Sequence, residues 1–155
     1  AIAIGVEPQD ASLLEEKPRQ VSEGILSGET FRRIMLQGLC IAASTMAAFY
    51  IGNGKGAAMP STMAFATLTL ARLFHGFNCR SEESMFKLGF RSNKYSVYAF
   101  LAGVAFLAAV LFIPGLHSLF SVVSLGAADV LKIAGLAFAP TAIIQIIKAI
   151  QDNRR

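Results

Sequence analysis

Charged residues are scarce in this chain of 155 residues: they make up 15 % of it, whereas apolar residues make up 54 %. Soluble domains carry roughly 25 % charged residues, so the composition is typical of a membrane protein and argues against a soluble domain. The sequence also lacks a patch of basic residues interleaved with aromatic ones, which argues against a nucleic-acid partner. We therefore expect the protein to contact membrane lipid and to have no nucleic-acid partner.

Catalytic and metal-binding patterns are also missing. There is no phosphate-binding loop and no nucleophile placed beside a base. His117 has no ligand-spaced partner, and the adjacent Glu82 and Glu83 lie in a charged loop that cannot close around a substrate. The two cysteines, Cys40 and Cys79, fall in apolar runs and are expected to be buried thiols. We predict no catalytic residue, no metal site and no cofactor within this chain.

Four apolar runs dominate the sequence, at about 31–51, 60–79, 95–113 and 124–150. Each is close to the roughly 20 residues that an α-helix needs to cross a membrane. We predict an all-α fold: a polytopic membrane protein with a four-helix transmembrane bundle over 31–155, preceded by a polar cytoplasmic loop over 1–30. Gly38 and Ala42, four residues apart, either allow close helix contact or simply reflect an alanine-rich helix. A short apolar loop containing His117 is expected between the third and fourth spans, and Pro140 predicts a kink in the fourth.

Basic residues are distributed very unevenly around these runs. Eleven of the fourteen Lys and Arg residues lie in the N-terminal segment, the middle loop and the tail, whereas Lys55 alone lies on the other side. The positive-inside rule then places both termini in the cytoplasm. Asp129 is the only acidic residue outside the cytoplasmic segments, and it stands three residues before Lys132, so the two can pair on one helix face. The first residues of the chain include neither an initiator Met nor a basic signal segment, so we expect the chain to be a piece of a larger protein.

Arg72 lies deep in the second apolar run, where a guanidinium costs about 3 kcal/mol or more to insert into a membrane. At helical spacing it shares a face with Thr69, His75 and Cys79. We expect this face to line a polar path or to meet a polar neighbour. The alternatives are an Arg72 that bonds backbone carbonyls and a His75 that is only a packing side chain.

The second run and its exit closely resemble a known membrane family. Residues 62–65 (Thr-Met-Ala-Phe) and 74–81 (Phe-His-Gly-Phe-Asn-Cys-Arg-Ser) are similar to the eighth membrane helix of P-type calcium ATPases. Residues 1–8 resemble the segment after that family's sixth helix, and residues 17–19 and 24–27 its cytoplasmic loop before the seventh. The resemblance covers essentially the whole chain, in the same order.

The resemblance implies that the four spans are helices seven to ten of a ten-helix pump. That family uses ATP and Mg²⁺, through a phosphorylated aspartate, to export Ca²⁺ with proton countertransport. This chain lacks the Asp-Lys-Thr-Gly-Thr phosphorylation motif. Its expected partners are therefore the remaining transmembrane helices and the phosphorylation domain of a parent pump, in a bacterial plasma membrane. The parent is an enzyme, whereas this chain alone lacks the catalytic domains.

Three residues gain an expected role from the resemblance. Relatives in animal reticulum carry at the position of Arg72 a glutamate that binds one of two Ca²⁺ ions, so Arg72 implies one Ca²⁺ per cycle. Lys17 and Arg19 fall in the loop that contacts the phosphorylation domain and couples it to the membrane. The alternatives are an inert linker at 1–30 and, for the whole chain, a free-standing four-helix accessory subunit without transport activity.

Overall fold

The computed structural model describes residues 28–78 and 94–152. These contain helices α1 (Gly28–Gly52), α2 (Met59–Asn78), α3 (Lys94–Phe112), α4 (Pro114–Phe120) and α5 (Ala127–Asp152), with no strand among them. The all-α fold class is confirmed. Residues 1–27 of the predicted loop over 1–30 lie outside the described residues, as does the segment 79–93.

The turn between α1 and α2 is built from glycine. Gly54 and Gly56 have φ of 86° and 128°, a region that side chains disfavour. A Cβ added to Gly52 would lie 2.8 Å from the Cα of Pro60, so only glycine lets the two helix ends approach this closely. Pro60 itself fits the first turn of α2, where its missing N–H costs nothing. The sequence therefore fixes a tight, rigid hairpin between the first two helices.

Helix α2 is the centre of the bundle, because it contacts α1, α3 and α5. Its buried side chains Met63 and Ala66 join Ala48 of α1, Leu107 and Leu111 of α3 and Ile133 of α5 in one core. Further along α2, the ring of Phe74 lies 5.5 Å from that of Phe100 and 5.6 Å from that of Phe138, between centroids. Packing of this kind, rather than exclusion of water, holds helices together in lipid.

Of the two alternatives for Gly38 and Ala42, the described residues favour an alanine-rich helix without close helix contact. Both residues are exposed on α1, and a Cβ at Gly38 would meet nothing within 4 Å. By contrast, a Cβ at Gly103 of α3 would lie 2.6 Å from a side-chain carbon of Leu73 of α2. The close approach between described helices at a glycine therefore includes Gly103, where the side chain of Leu73 occupies the space that a Cβ would fill.

Helices α3 and α4 meet at a sharp bend of 96°. The segment around His117, expected as a loop, is instead a short helix that starts at Pro114. His117 Nε2 donates to the carbonyl oxygen of Leu111 at 3.1 Å, which satisfies an acceptor at the end of α3. Helix α5 then continues through Pro140, which is buried.

By length and composition, two described helices can cross a membrane by themselves, over Thr30–Gly52 and Ala127–Ile147, and a third is reached if α3 and α4 form one bent span. Helix α2 has 20 residues but falls short of the same hydropathy. The hydropathy is low because Arg72 and His75 stand among its leucines and phenylalanines. The apolar helices agree with an integral membrane protein, and the exact limits of four spans stay a prediction.

Candidate ion-site face

One face of α2 is largely exposed in the described part of the chain, and the ring of Phe120 of α4 approaches it only at Phe65. The side chains exposed along it recur every three or four residues: Ser61, Phe65, Leu68 and Arg72, followed by Gly76. That spacing defines a single stripe on an α-helix. We call these five residues the open stripe of α2. The side chains on the opposite face, such as Met63 and Ala66, are fully buried against α1, α3 and α5.

Arg72 is the only charged residue of the open stripe. It is the fourteenth of the 20 residues of α2, about 20 Å from the helix start and about 9 Å from its end at 1.5 Å per residue. No hydrogen bond or ion pair joins it to another residue of the described ranges, and its side chain is exposed. The guanidinium therefore projects away from the bundle, at a depth where it needs a polar environment.

His75 lies one turn further along α2 in a different setting. It is half-buried and takes part in an interaction, so it belongs partly to the packed interior. Thr69 is also half-buried, and Cys79 lies outside the described residues. Within the described residues, the predicted polar face thus consists of the exposed guanidinium of Arg72 and the half-buried side chains of Thr69 and His75.

A charged cluster joins the α1–α2 turn to the start of α5. The predicted pair of Asp129 and Lys132 is present, with Nζ 3.7 Å from Oδ1. Lys55, 74 residues earlier, forms a shorter salt bridge with the same carboxylate. This partner was not predicted, although the predicted topology puts Lys55 and Asp129 at the same end of the bundle. Since they were the only charges expected there besides Lys132, that coincidence was the available signal.

The hydroxyl of Thr62 links α2 to the segment that follows α4. Thr62 is fully buried; its Oγ1 donates to the carbonyl of Ala58 at 2.8 Å and accepts the backbone N–H of Val123 at 3.1 Å. Thr62 therefore satisfies a backbone group that lies outside any helix. No feature of the local sequence indicated this contact, which joins residues 61 positions apart.

Two of the predicted site residues, Lys17 and Arg19, lie outside the described residues, as do Glu82 and Glu83. Within the described ranges, no group of three or more His, Cys, Asp or Glu side chains is arranged to hold a metal ion. His117 is engaged with a backbone carbonyl instead.

Comparison with known proteins accounts for this arrangement. The family model for the C-terminus of cation-transporting ATPases matches residues 1–150. The chain belongs to this family. The match confirms the resemblance found in the sequence, and it assigns the helices described above to the C-terminal part of a cation-transporting ATPase.

Several curated relatives are similar over nearly the entire length of this ATPase region. A calcium-transporting ATPase of Listeria monocytogenes is 36 % identical over 99 % of the chain, and one of Bacillus subtilis is 32 % identical over 91 %. A calcium-transporting ATPase of mouse, type 2C member 2, is 30 % identical over 96 %. The chain spans 18 %, 16 % and 16 % of the lengths of these relatives.

Proposed function

We propose that this chain is the C-terminal membrane region of an ATP-driven Ca²⁺ pump, in which it supports the ion-binding helices. The observation that carries this proposal is the family match over residues 1–150, joined by relatives named as calcium-transporting ATPases along the whole chain. ATP, Mg²⁺ and Ca²⁺ act in the parent pump. The partners are its remaining transmembrane helices and its phosphorylation domain. ATP-dependent Ca²⁺ uptake into vesicles by the full-length protein tests this function, and uptake no greater than in empty vesicles would reject it.

Arg72 is proposed to occupy one ion site of that pump and to leave one Ca²⁺ per cycle, with protons transported in the opposite direction. Its exposure on the open stripe supports this role, because that stripe is the side of α2 on which further helices can pack. The described residues supply no acidic residue at its depth, since Glu29, Asp129 and Asp152 all lie at helix ends. Acids on the other helices of the pump would therefore neutralise the guanidinium.

The electrostatic effect is large enough to exclude an ion. A guanidinium about 5 Å from Ca²⁺ repels it by about 7 kcal/mol at an effective dielectric constant of about 20. That energy corresponds to roughly five powers of ten in affinity. A second Ca²⁺ beside Arg72 would thus not bind at cellular concentrations.

The test is the number of Ca²⁺ ions bound per phosphorylation site in the full-length pump. We expect one in the unmodified protein and in Arg72→Lys, and a changed stoichiometry or affinity in Arg72→Glu. Arg32→Gln, which removes a cation at the start of α1, is the matched control and should leave the number unchanged. Two Ca²⁺ per site in the unmodified pump would overturn the role of Arg72 without affecting the proposal that the protein is a pump.

His75 is proposed to flank the same path. Replacing His75 by the uncharged residue glutamine should slow Ca²⁺ uptake. One Ca²⁺ ion should still bind per phosphorylation site, because His75→Gln changes the path and not the ion site. Uptake at the unmodified rate would assign His75 to packing alone.

Lys17 and Arg19 are proposed to couple the phosphorylation domain to the membrane helices. Reversing both charges, with Lys17→Glu and Arg19→Glu, should slow phosphorylation or lower the Ca²⁺ transported per ATP. Replacing the nearby acids Glu15 and Glu16 by glutamine is the control for a general effect of charge. Unchanged phosphorylation and transport would favour an inert linker.

The proposed location is the plasma membrane of a bacterium, with both chain termini in the cytoplasm. The salt bridge of Lys55 with Asp129 supports the topology, because it places the α1–α2 turn and the start of α5 at the same end of the bundle. A cysteine introduced at Asn53 should react with an impermeant maleimide in intact cells. A cysteine introduced at Asn153 should react with the same reagent in inverted vesicles and not in intact cells. Labelling of both from one side would contradict the topology.

A further inference from the structure

Helix α4 lies at the depth of the membrane helices rather than beyond their ends. The ring of Phe120, its last residue, is 6.1 Å from Phe106 and 6.5 Å from Phe65, between centroids. Phe106 comes six residues before the end of α3 and Phe65 six residues after the start of α2, so each is about 9 Å inside its helix. The bond from Val123 to Thr62 holds the following connection about one turn inside α2 as well. The bend of 96° then directs α4 across the bundle near the level at which α3 ends.

The surface of α4 and its junction with α3 is apolar and exposed. Leu119 is 75 % exposed, Phe112 57 % and Ile113 50 %. No charged residue occurs anywhere between Lys94 and Asp129. A connection in water would carry charged or strongly polar side chains, and monomeric soluble surfaces rarely expose contiguous patches of large apolar groups.

Several polar groups at the ends of α4 and on His117 are paired within the protein. His117 donates to the carbonyl of Leu111, the N–H of Leu116 bonds to Ile113, and the N–H of Val122 bonds to the carbonyl of His117. Pro114 has no N–H to satisfy. Internal pairing of this kind is what a backbone segment requires when lipid rather than water surrounds it.

We infer that α4, together with Phe112 and Ile113, is an in-plane lipid-contact surface that lies among the acyl chains at the membrane boundary where α3 ends. The exposed leucine, isoleucine and phenylalanine insert there and fix the height of the α3–α5 connection in the bilayer. The occupant is lipid, because the depth set by Phe120 and the charge-free sequence around α4 both match the hydrocarbon boundary. An interfacial helix commonly buries its apolar face in this manner.

The test uses nitroxide spin labels on the full-length protein in lipid nanodiscs. The label is attached at Leu119→Cys and, separately, at Ile113→Cys, in a background without other reactive cysteines. Both side chains are at least half exposed, so the substitutions leave the packing intact. A label at Asn53, which is exposed in the α1–α2 turn, is the water-facing control, and lipids labelled at the headgroup and along the acyl chain calibrate depth.

We expect oxygen to collide with the labels at 119 and 113 as often as with acyl-chain labels. A water-soluble nickel chelate should collide with them several-fold less often than with the label at Asn53. Collision rates at 119 equal to those at Asn53 would place α4 in water and overturn the inference. A label at 119 that is immobilised and shielded from both reagents would show that protein, not lipid, covers this surface, and would overturn it equally.

Discussion

Replacing Thr62 by valine removes one hydroxyl from the bundle and keeps its shape. Thr62 is fully buried, and its Oγ1 is the acceptor for the N–H of Val123 at 3.1 Å. Valine retains the volume but leaves this N–H without a partner, and an orphaned buried donor costs about 1–3 kcal/mol. Val123 is half-buried, so occasional access of water places the expected cost in the lower part of that range, about 1–2 kcal/mol.

A loss of that size has a local, measurable effect. It corresponds to a roughly 5- to 30-fold increase in the population of molecules in which the segment between α4 and α5 is detached from α2. We expect hydrogen exchange at the Val123 amide to accelerate by this factor in Thr62→Val, measured by mass spectrometry on the full-length protein in detergent. Thr62→Ser keeps the hydroxyl and should retain slow exchange at Val123.

Thr45 supplies the matched control for this comparison. Its Oγ1 donates to the carbonyl of Ile41 at 2.8 Å, four residues earlier in α1, as Thr62 does to Ala58 in α2. Among the residues that the structure describes it accepts no distant N–H, so Thr45→Val should leave exchange at Val123 unchanged. Equal exchange rates at Val123 in Thr62→Val and Thr62→Ser would refute the reasoning that the hydroxyl holds the connection.

Three other contacts can be tested by substitution. Gly52→Ala should lower the melting temperature of the full-length protein in detergent, since the added Cβ would lie 2.8 Å from the Cα of Pro60 and force the hairpin apart; an unchanged midpoint would mean that the turn adapts. Lys55→Gln and Asp129→Asn remove the same ion pair, and Asp129→Asn also removes the pair with Lys132, so the double variant should melt little lower than Asp129→Asn alone, whereas fully additive shifts would contradict the pairing. Phe74→Ala should destabilise the bundle by about 3 kcal/mol, because its ring contacts both α3 and α5, and chemical unfolding of both proteins under matched conditions measures this loss.

The long helices could be predicted from the sequence because their apolar runs are bounded by strong punctuation. The first run, predicted over 31–51, is Gly28–Gly52, and the second, predicted over 60–79, is Met59–Asn78. Glycine and proline around positions 52–60 mark the boundary between them. Helix α4 was expected as a loop because seven residues are too few to show helical periodicity and Pro-Gly at its start is typical of a turn.

The tertiary contacts could not be predicted in the same way. The sequence left close packing at Gly38 open and did not indicate Gly103, which is the glycine that the side chain of Leu73 on a neighbouring helix approaches. Both residues lie in apolar helices, and only the arrangement of the helices distinguishes them. Asp129 was paired correctly with Lys132, since that contact follows from helical spacing, but the bond with Lys55 depends on how the hairpin and α5 come together.

The position of α2 at the centre of the bundle has a consequence for biogenesis. The translocon releases a segment into lipid according to its hydrophobicity, and a guanidinium is among the groups that it rejects most strongly. Helix α2 carries Arg72 and, unlike α1 and α5, is not apolar enough by composition to cross a membrane by itself, yet it is the helix that α1, α3 and α5 all contact. The tight glycine turn at 52–56 joins α2 to α1, which is apolar enough to insert. We therefore expect α2 to enter the bilayer as the second arm of a hairpin with α1, and the later helices to assemble around it.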